Sequence, residues 1–319
     1  MRSSARRVSF EAGILNIGGG RQMAAGILQL FCALSVLSVL DVTGKKMVGI
    51  GVSVLMVGWF RYLSHLMLFS VVALPLRGRR ILSTQSLSRQ AVRGVLVALT
   101  TLTFFSVLKR LPLAEATALN FLAPVMVLLA SPWVLGEPLR WNHVLGVVMG
   151  FTGMLAIIRP GGSLPLDGVA LGLLSAVILA AFQIATRRVA ADDPITTNIY
   201  SGVFGTLAFT LCLPWAGPWP DLEPLQWLLL LSTGVSGALG HWLQIRAYQA
   251  APASLLSPFV YLQIFAATAL GWLVFNQLPD GITAAGMGLI VLGGMTTGAL
   301  EWRARRASQM PAVVSERVD

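Results

Sequence analysis

Few side chains in this sequence can do polar chemistry in the setting their neighbours create. Arg61 and His65 stand four residues apart in WFRYLSHLMLF, with apolar residues on either side. That spacing puts both on one helix face. An ionisable group inside a membrane-crossing segment costs about 2.5–3.5 kcal/mol on insertion scales, so each asks for a reason. Arg61 offers a cation to a carboxylate or phosphate group. The other reading is a structural Arg that snorkels or pairs with a carboxylate elsewhere. Asp41, near Lys45 and Lys46, and Glu115, near Lys109 and Arg110, supply opposite charge. Either could titrate a proton or hold an amine, with Asp41 the better candidate. Glu115 also suits a helix start, where the dipole favours negative charge.

Polar stripes extend the set. Gly234, Gly237, His241, Gln244 and Tyr248 recur at steps of three and four, so they share a face that must turn away from lipid. That face is either a close helix contact or the wall of a cavity. Ser254, Ser257, Tyr261 and Thr268 form a second stripe, and Thr117, Asn120, Pro124 and Ser131 a third. Asn120 and Tyr261 are the preferred substrate-binding groups, joined by His241, Gln244, Gln183, Arg61 and His65; Asp41 and Glu115 are the coupling candidates. Pro124 interrupts its helix and frees a backbone carbonyl at depth.

Other chemistries find no support in the spacing. Three histidines lie far apart, and Cys32 and Cys212 sit in apolar runs, so neither a metal site nor a disulfide framework is expected. Gly18-Gly19-Gly20 lacks the context of a nucleotide loop, and no cofactor is implied. An intramembrane enzyme with a polar site between two halves is the alternative function. It needs a nucleophile with a base or clustered ligands, and no H-E-x-x-H or G-x-S-x-G pattern is present. A passive channel lacks a filter segment.

The elements that must hold these groups follow from composition. Of 319 residues, 55% are hydrophobic and 11% charged, against roughly 25% charged in soluble domains. The net charge is +10, but the basic residues cluster between apolar runs, which argues for membrane topology and against nucleic acid. Ten apolar spans are expected, at 23–42, 52–76, 91–108, 113–135, 142–158, 167–186, 197–216, 225–245, 253–275 and 282–300. The first is too long for a signal peptide and reads as a retained helix. The fold class is an all-α membrane protein. Arg2, Arg6, Arg7 and Arg21, then Arg77, Arg79, Arg80, Arg89 and Arg93, and the basic tail fall on one side. Lys45, Lys46, Lys109, Arg110 and Arg159 are the few on the other. The bias sets both termini inside. Trp133, Trp141, Trp215, Trp219, Trp227 and Trp302 near span ends suit an interfacial belt.

Shifting the sequence by 140 residues lays spans 4 and 5 on spans 9 and 10. Pro112 meets Pro252, Phe121 meets Tyr261, Gly146 meets Gly286, and Gly153 meets Gly293. Five spans per half is odd, so the second half enters the bilayer upside down, as in alternating-access carriers. The expected division is a segment 1–22, five-helix repeats at 23–160 and 161–302, and a basic tail 303–319. Glycines on spans 5 and 10 could join the halves or form a homodimer surface; the first is favoured.

The stretch from Leu111 to Pro124, LPLAEATALNFLAP, closing with Leu135-Gly136-Glu137, resembles the first EamA repeat of the drug/metabolite transporter superfamily. Ser257 to Gln263, followed by Phe275-Asn276-Gln277 and Gly286, resembles the second. The likeness runs over about 23–302. It implies ten helices in two inverted repeats, a central cavity and a small organic metabolite as substrate, in a branch with carriers suggested for S-adenosylmethionine and riboflavin. It also implies a bacterial inner membrane location and an Arg near position 61 shared by members with different cargo. Asn276-Gln277 departs from the usual Gly-Glu.

Overall fold

The computed structural model describes residues 2–134, 141–159, 164–189, 191–250, 256 and 259–309, with side chains at most positions from Gln22 onward. Glu137, Pro252, Ser254, Ser257 and the tail beyond Gln309 lie outside the described residues, as do the side chains of Ser131, Trp141, Tyr248 and Trp302. All regular structure among the described residues is helical. The helices are α1 (Arg2–Gly49), α2 (Val54–Arg77), α3 (Leu87–Leu108), α4 (Leu113–Asn120), α5 (Leu122–Val134), α6 (Trp141–Ile158), α7 (Leu166–Arg188), α8 (Pro194–Cys212), α9 (Pro224–Ala250), α10 (Gln263–Phe275) and α11 (Gly281–Gln309).

Local chemistry sets several of these boundaries. Ser53, Ser86 and Asp193 accept backbone N–H bonds at the starts of α2, α3 and α8, and Pro194 occupies the first turn of α8. Gly78, at φ 66°, ends α2. Asn276 ends α10 in the left-handed region, at φ 53° and ψ 35°. That explains the Asn276 departure, because Asn is among the few residues that visit this conformation without being Gly.

Six helical stretches are long and apolar enough to cross a bilayer: Gln22–Gly49, Val54–Arg77, Leu87–Leu108, Leu166–Arg188, Pro224–Ala247 and Gly281–Leu300. Among the described residues, the remaining expected spans are helical but shorter or more polar. The expected single helix over 113–135 is two, α4 and α5, broken at Phe121. The break lies one turn before Pro124, whose missing N–H leaves the Asn120 carbonyl without an i+4 donor. Tyr261 and Leu262 form the turn before α10. The two breaks fall 140 residues apart, and the Phe121 and Tyr261 rings touch with centroids 5.2 Å apart.

Helix pairing crosses the middle of the chain. α1 packs along α9, and α3 along α7; α2 packs on α9 and α8, α3 on α8, and α6 on α11. Within α6 and α11 the contact is backbone on backbone. A Cβ on Gly153 would lie 2.5 Å from the Gly286 carbonyl oxygen, and one on Gly146 would lie 3.3 Å from that of Gly293. Residue numbers rise along α6 as they fall along α11, so the two run antiparallel. These glycines therefore join two helices of one chain. The largest apolar core draws on α1, α2, α3, α4 and α7, among them Met47, Met56, Phe105, Leu111 and Leu119.

One charge assignment changes. Arg93, counted above with the loop cations, is 8% exposed and lies inside the bundle. It lies at the end of the second turn of α3, so the helix carries it inward, away from the exposed Arg89.

Candidate functional site

Arg61 and His65 leave α2 on one face, and both are buried. Arg61 Nη1 donates to the Tyr62 hydroxyl at 2.9 Å and to Thr101 Oγ1, and the guanidinium sits 4.8 Å from the Tyr62 ring centroid. The Tyr62 hydroxyl in turn donates to the Val97 carbonyl at 2.8 Å, which anchors the cation to α3. Arg61 Nε is buried without a partner. It faces Gly237 of α9, where a Cβ would stand 3.5 Å from Nε and 3.8 Å from Nη2. His65 Nε2 donates to the Asn198 carbonyl of α8 at 3.2 Å.

α9 turns its polar stripe toward α1 and α2. Gly234 is packed tightly on Arg61 and Ser64, and Leu40 of α1 reaches Gly237. His241 lies one turn beyond Gly237, hydrogen-bonded to Gln244 and within electrostatic range of Arg61, His65 and Arg93. Asp41, next to Leu40, is within range of Arg61. Asp41 and His241 are half-buried.

Arg93 and Tyr62 are two of the buried polar groups that sequence reasoning missed. Arg93 Nε donates to Thr186 Oγ1 at 3.0 Å, Nη1 donates to Ser201 Oγ and to the Thr197 carbonyl, and Phe182 stacks beneath at 4.9 Å. The cation thus ties α3 to α7 and α8 through neutral oxygens. The signal for it is its place inside the span 91–108.

The other candidates separate. Asn120 ends α4 with Oδ1 unpartnered, one residue from the Phe121–Tyr261 contact. Tyr261 is 7% exposed, and its ring lies across Gly294 of α11 among Ile264, Met287 and Ile290. Gln183 is half-buried on α7. Glu115 occupies the first turn of α4, buried, within range of Lys45. Lys45 donates to the Leu108 and Leu111 carbonyls at 2.9 and 2.5 Å. Glu115 and Lys45 thus sit at one end of the bundle, away from His65.

Both ends are held by polar contacts between the first and second halves of the chain. At the Lys45 end, Arg110 pairs with Asp167 at 2.5 Å, and Arg159 pairs with Asp280. The Thr283 backbone N–H and Arg159 hold the Asp280 carboxyl down to about 2. At the other end, Asp192 accepts from Thr84 Oγ1 at 2.5 Å, the Gln85 backbone N–H at 3.0 Å and Gln90 Nε2 at 2.8 Å. These donors, the Thr84 hydroxyl foremost, hold its carboxyl below the usual range. Among the described residues no cluster of His, Cys, Asp or Glu could hold a metal.

Known proteins share this organisation. Residues 24–159 and 166–297 each match the EamA-like transporter family. A pseudopaline exporter of Pseudomonas aeruginosa (strain UCBPP-PA14) is 32% identical over 216 residues, covering 66% of this chain and 75% of its own. An S-adenosylmethionine uptake transporter of Rickettsia prowazekii (strain Madrid E) is 22% identical over 269 residues, covering 83% and 90%. A protein of known crystal structure shares the fold with a TM-score of 0.64 at 22% identity, covering 88% of this chain and 99% of its own. With both halves matched and apolar helices throughout, the chain belongs to the EamA-like transporter family: it is an integral membrane transporter, not an enzyme.

Proposed function

We propose that the protein is a secondary carrier of a small organic metabolite, amino-acid-like, nucleoside-like or vitamin-like, that works by alternating access. The observation that carries this reading is the cluster of buried and half-buried polar side chains at Arg61, Asp41 and His241, with polar contacts between the halves at each end. Such contacts can break at one end while the apolar cores stay intact, which is what rocking of one half against the other requires. The named activities of the pseudopaline exporter and the S-adenosylmethionine uptake transporter support a cargo of this kind.

Ten spans in two inverted repeats, 23–160 and 161–302, fit the glycine contacts. A shift of 140 turns the Gly146–Gly293 contact into the Gly286–Gly153 contact, so each half repeats what the other does. Because α6 and α11 are antiparallel, a two-fold axis relating them is perpendicular to both helices, and it inverts one half. With N-in, C-in topology in a bacterial inner membrane, the Lys45 end faces out and the Asp192 end faces the cytoplasm. A homodimer would use a face other than the α6–α11 seam. Asp41 is the coupling candidate, and Asn120 and Tyr261 are the substrate groups at the helix breaks.

The test is counterflow in proteoliposomes, with S-adenosylmethionine, pseudopaline and a panel of the three classes as probes. Exchange above protein-free vesicles is expected for at least one. Exchange that never exceeds that control counts against a carrier. Asn120→Ala and Tyr261→Phe should change apparent affinity at normal expression, and unchanged affinity in both removes them from the site.

A further inference from the structure

The turn between α2 and α3 carries cations that the bundle does not use. From Leu76 to Gln90 the sequence holds Arg77, Arg79, Arg80 and Arg89 and no acidic residue. The side chains of Arg77, Arg80 and Arg89 are exposed. Among the described residues, the Arg80 and Arg89 side chains make no hydrogen bond or ion pair. Arg77 pairs with Asp193 at 3.5 Å, with both side chains about half exposed. An exposed pair of that kind holds weakly, because water competes for both charges.

Exposed leucines accompany these cations. Leu76, Leu82 and Leu87 are 79%, 44% and 56% exposed. α2 and α3 are both long and apolar enough to cross a bilayer, and they end and begin at Arg77 and Leu87. The turn therefore lies where the chain leaves the hydrocarbon, at the depth of the lipid headgroups. Its inner side is fixed to the bundle. Ile81 packs into the core with Phe69, Ala73 and Ile199. The Tyr200 hydroxyl donates to the Leu82 carbonyl at 2.8 Å, and Thr84, Gln85 and Gln90 bind Asp192. The face left open is cationic with an apolar margin, and it is held in one shape before any partner arrives.

We propose that this face is a docking surface for an anionic phospholipid, whose headgroup phosphate is held by Arg77, Arg80 and Arg89 while its acyl chains lie against Leu76, Leu82 and Leu87. Charge selects the partner: guanidinium forks match phosphate oxygens, and three cations favour a headgroup with no ammonium of its own. A soluble phosphate offers nothing to the leucines. Arg77 is shared, so the lipid phosphate competes with Asp193 for it. The same turn binds Asp192, so a lipid seated here bears on the polar contacts that hold this end of the bundle together. The surface depends neither on the cargo nor on which leaflet it meets.

The test titrates the full-length protein in detergent with phosphatidylglycerol and with phosphatidylcholine, and counts bound lipid by native mass spectrometry. Phosphatidylglycerol should bind the more tightly. A basic residue at an anionic surface is worth about fivefold in affinity. The triple variant Arg77→Gln, Arg80→Gln, Arg89→Gln should therefore weaken phosphatidylglycerol by on the order of a hundredfold and leave phosphatidylcholine unchanged. Arg188→Gln, Arg246→Gln, Arg303→Gln together remove as many exposed cations elsewhere and should keep the tight site. Asp193→Asn retains an oxygen to cap the Ile195 N–H but releases Arg77, and should tighten phosphatidylglycerol by about fivefold. Equal binding of the two lipids, equal loss in the two triple variants, or unchanged affinity in Asp193→Asn overturns the surface. Inorganic phosphate should not raise the thermal midpoint. A rise as large as that given by phosphatidylglycerol marks a free-anion site and overturns the lipid. Should the first triple variant unfold, Asp193→Asn and the phosphate comparison decide alone.

Discussion

Gly153→Ala should destabilise the folded protein by about 1–3 kcal/mol, the usual cost of overpacking a tight contact. The new methyl would stand 2.5 Å from the Gly286 carbonyl oxygen and 3.1 Å from the Ile290 amide nitrogen. Both are backbone atoms, so no side chain can rotate away and the helices must separate. Gly286→Ala should behave alike, with its methyl 2.6 Å from the Gly153 carbonyl oxygen. The double variant should cost less than the sum, since both changes open one seam. Gly288→Ala is the control on the same helix, because nothing lies within 4 Å of its Cβ position. Thermal unfolding of the detergent-solubilised variants checks this. Equal midpoints for Gly153→Ala and Gly288→Ala would show that the seam is looser than described.

Asp41→Asn should abolish accumulation driven by a pH gradient while leaving exchange in place. Asp41 is a half-buried acidic group of α1 within range of the Arg61 cation on α2, and His241 on α9 is within range of the same cation. A carboxylate there can carry a proton through the cycle, and an amide of the same shape cannot. One proton per neutral cargo, driven by one pH unit, sustains about tenfold accumulation, equivalent to 1.4 kcal/mol. The variant should fall to equal concentrations inside and out, with counterflow rates near those of the parent. Accumulation that persists in Asp41→Asn removes it as the coupling group, and Glu115, beside Lys45, becomes the next residue to change.

The helical, membrane-embedded character and the 140-residue repeat were legible in one dimension, because both depend on where apolar runs and punctuation fall. So was the pairing of Phe121 with Tyr261 as equivalent positions. That these rings touch, at breaks in the two chain segments, was not legible. Pro124 marks the region, but the discontinuity appears at Asn120 and Phe121, where the carbonyl loses its donor. Arg93 shows the opposite failure. Its type suggested a loop cation, while its place on α3 carries it inward to Thr186 and Ser201.

The amino-acid order alone determined that the chain must bury its few charges inside an apolar bundle, since lipid offers no partner for Arg61, His65, Asp41 or His241. Tertiary structure decided which of them meet. Arg61, Asp41 and His241 come from α2, α1 and α9, and their meeting depends on helices from both halves crossing at Gly234 and Gly237. Tyr261 and Glu115, equally plausible by type, were carried elsewhere by the same packing. The physical reason is that helical periodicity fixes which face a residue shares, whereas the neighbour opposite that face depends on close approach between segments up to two hundred residues apart.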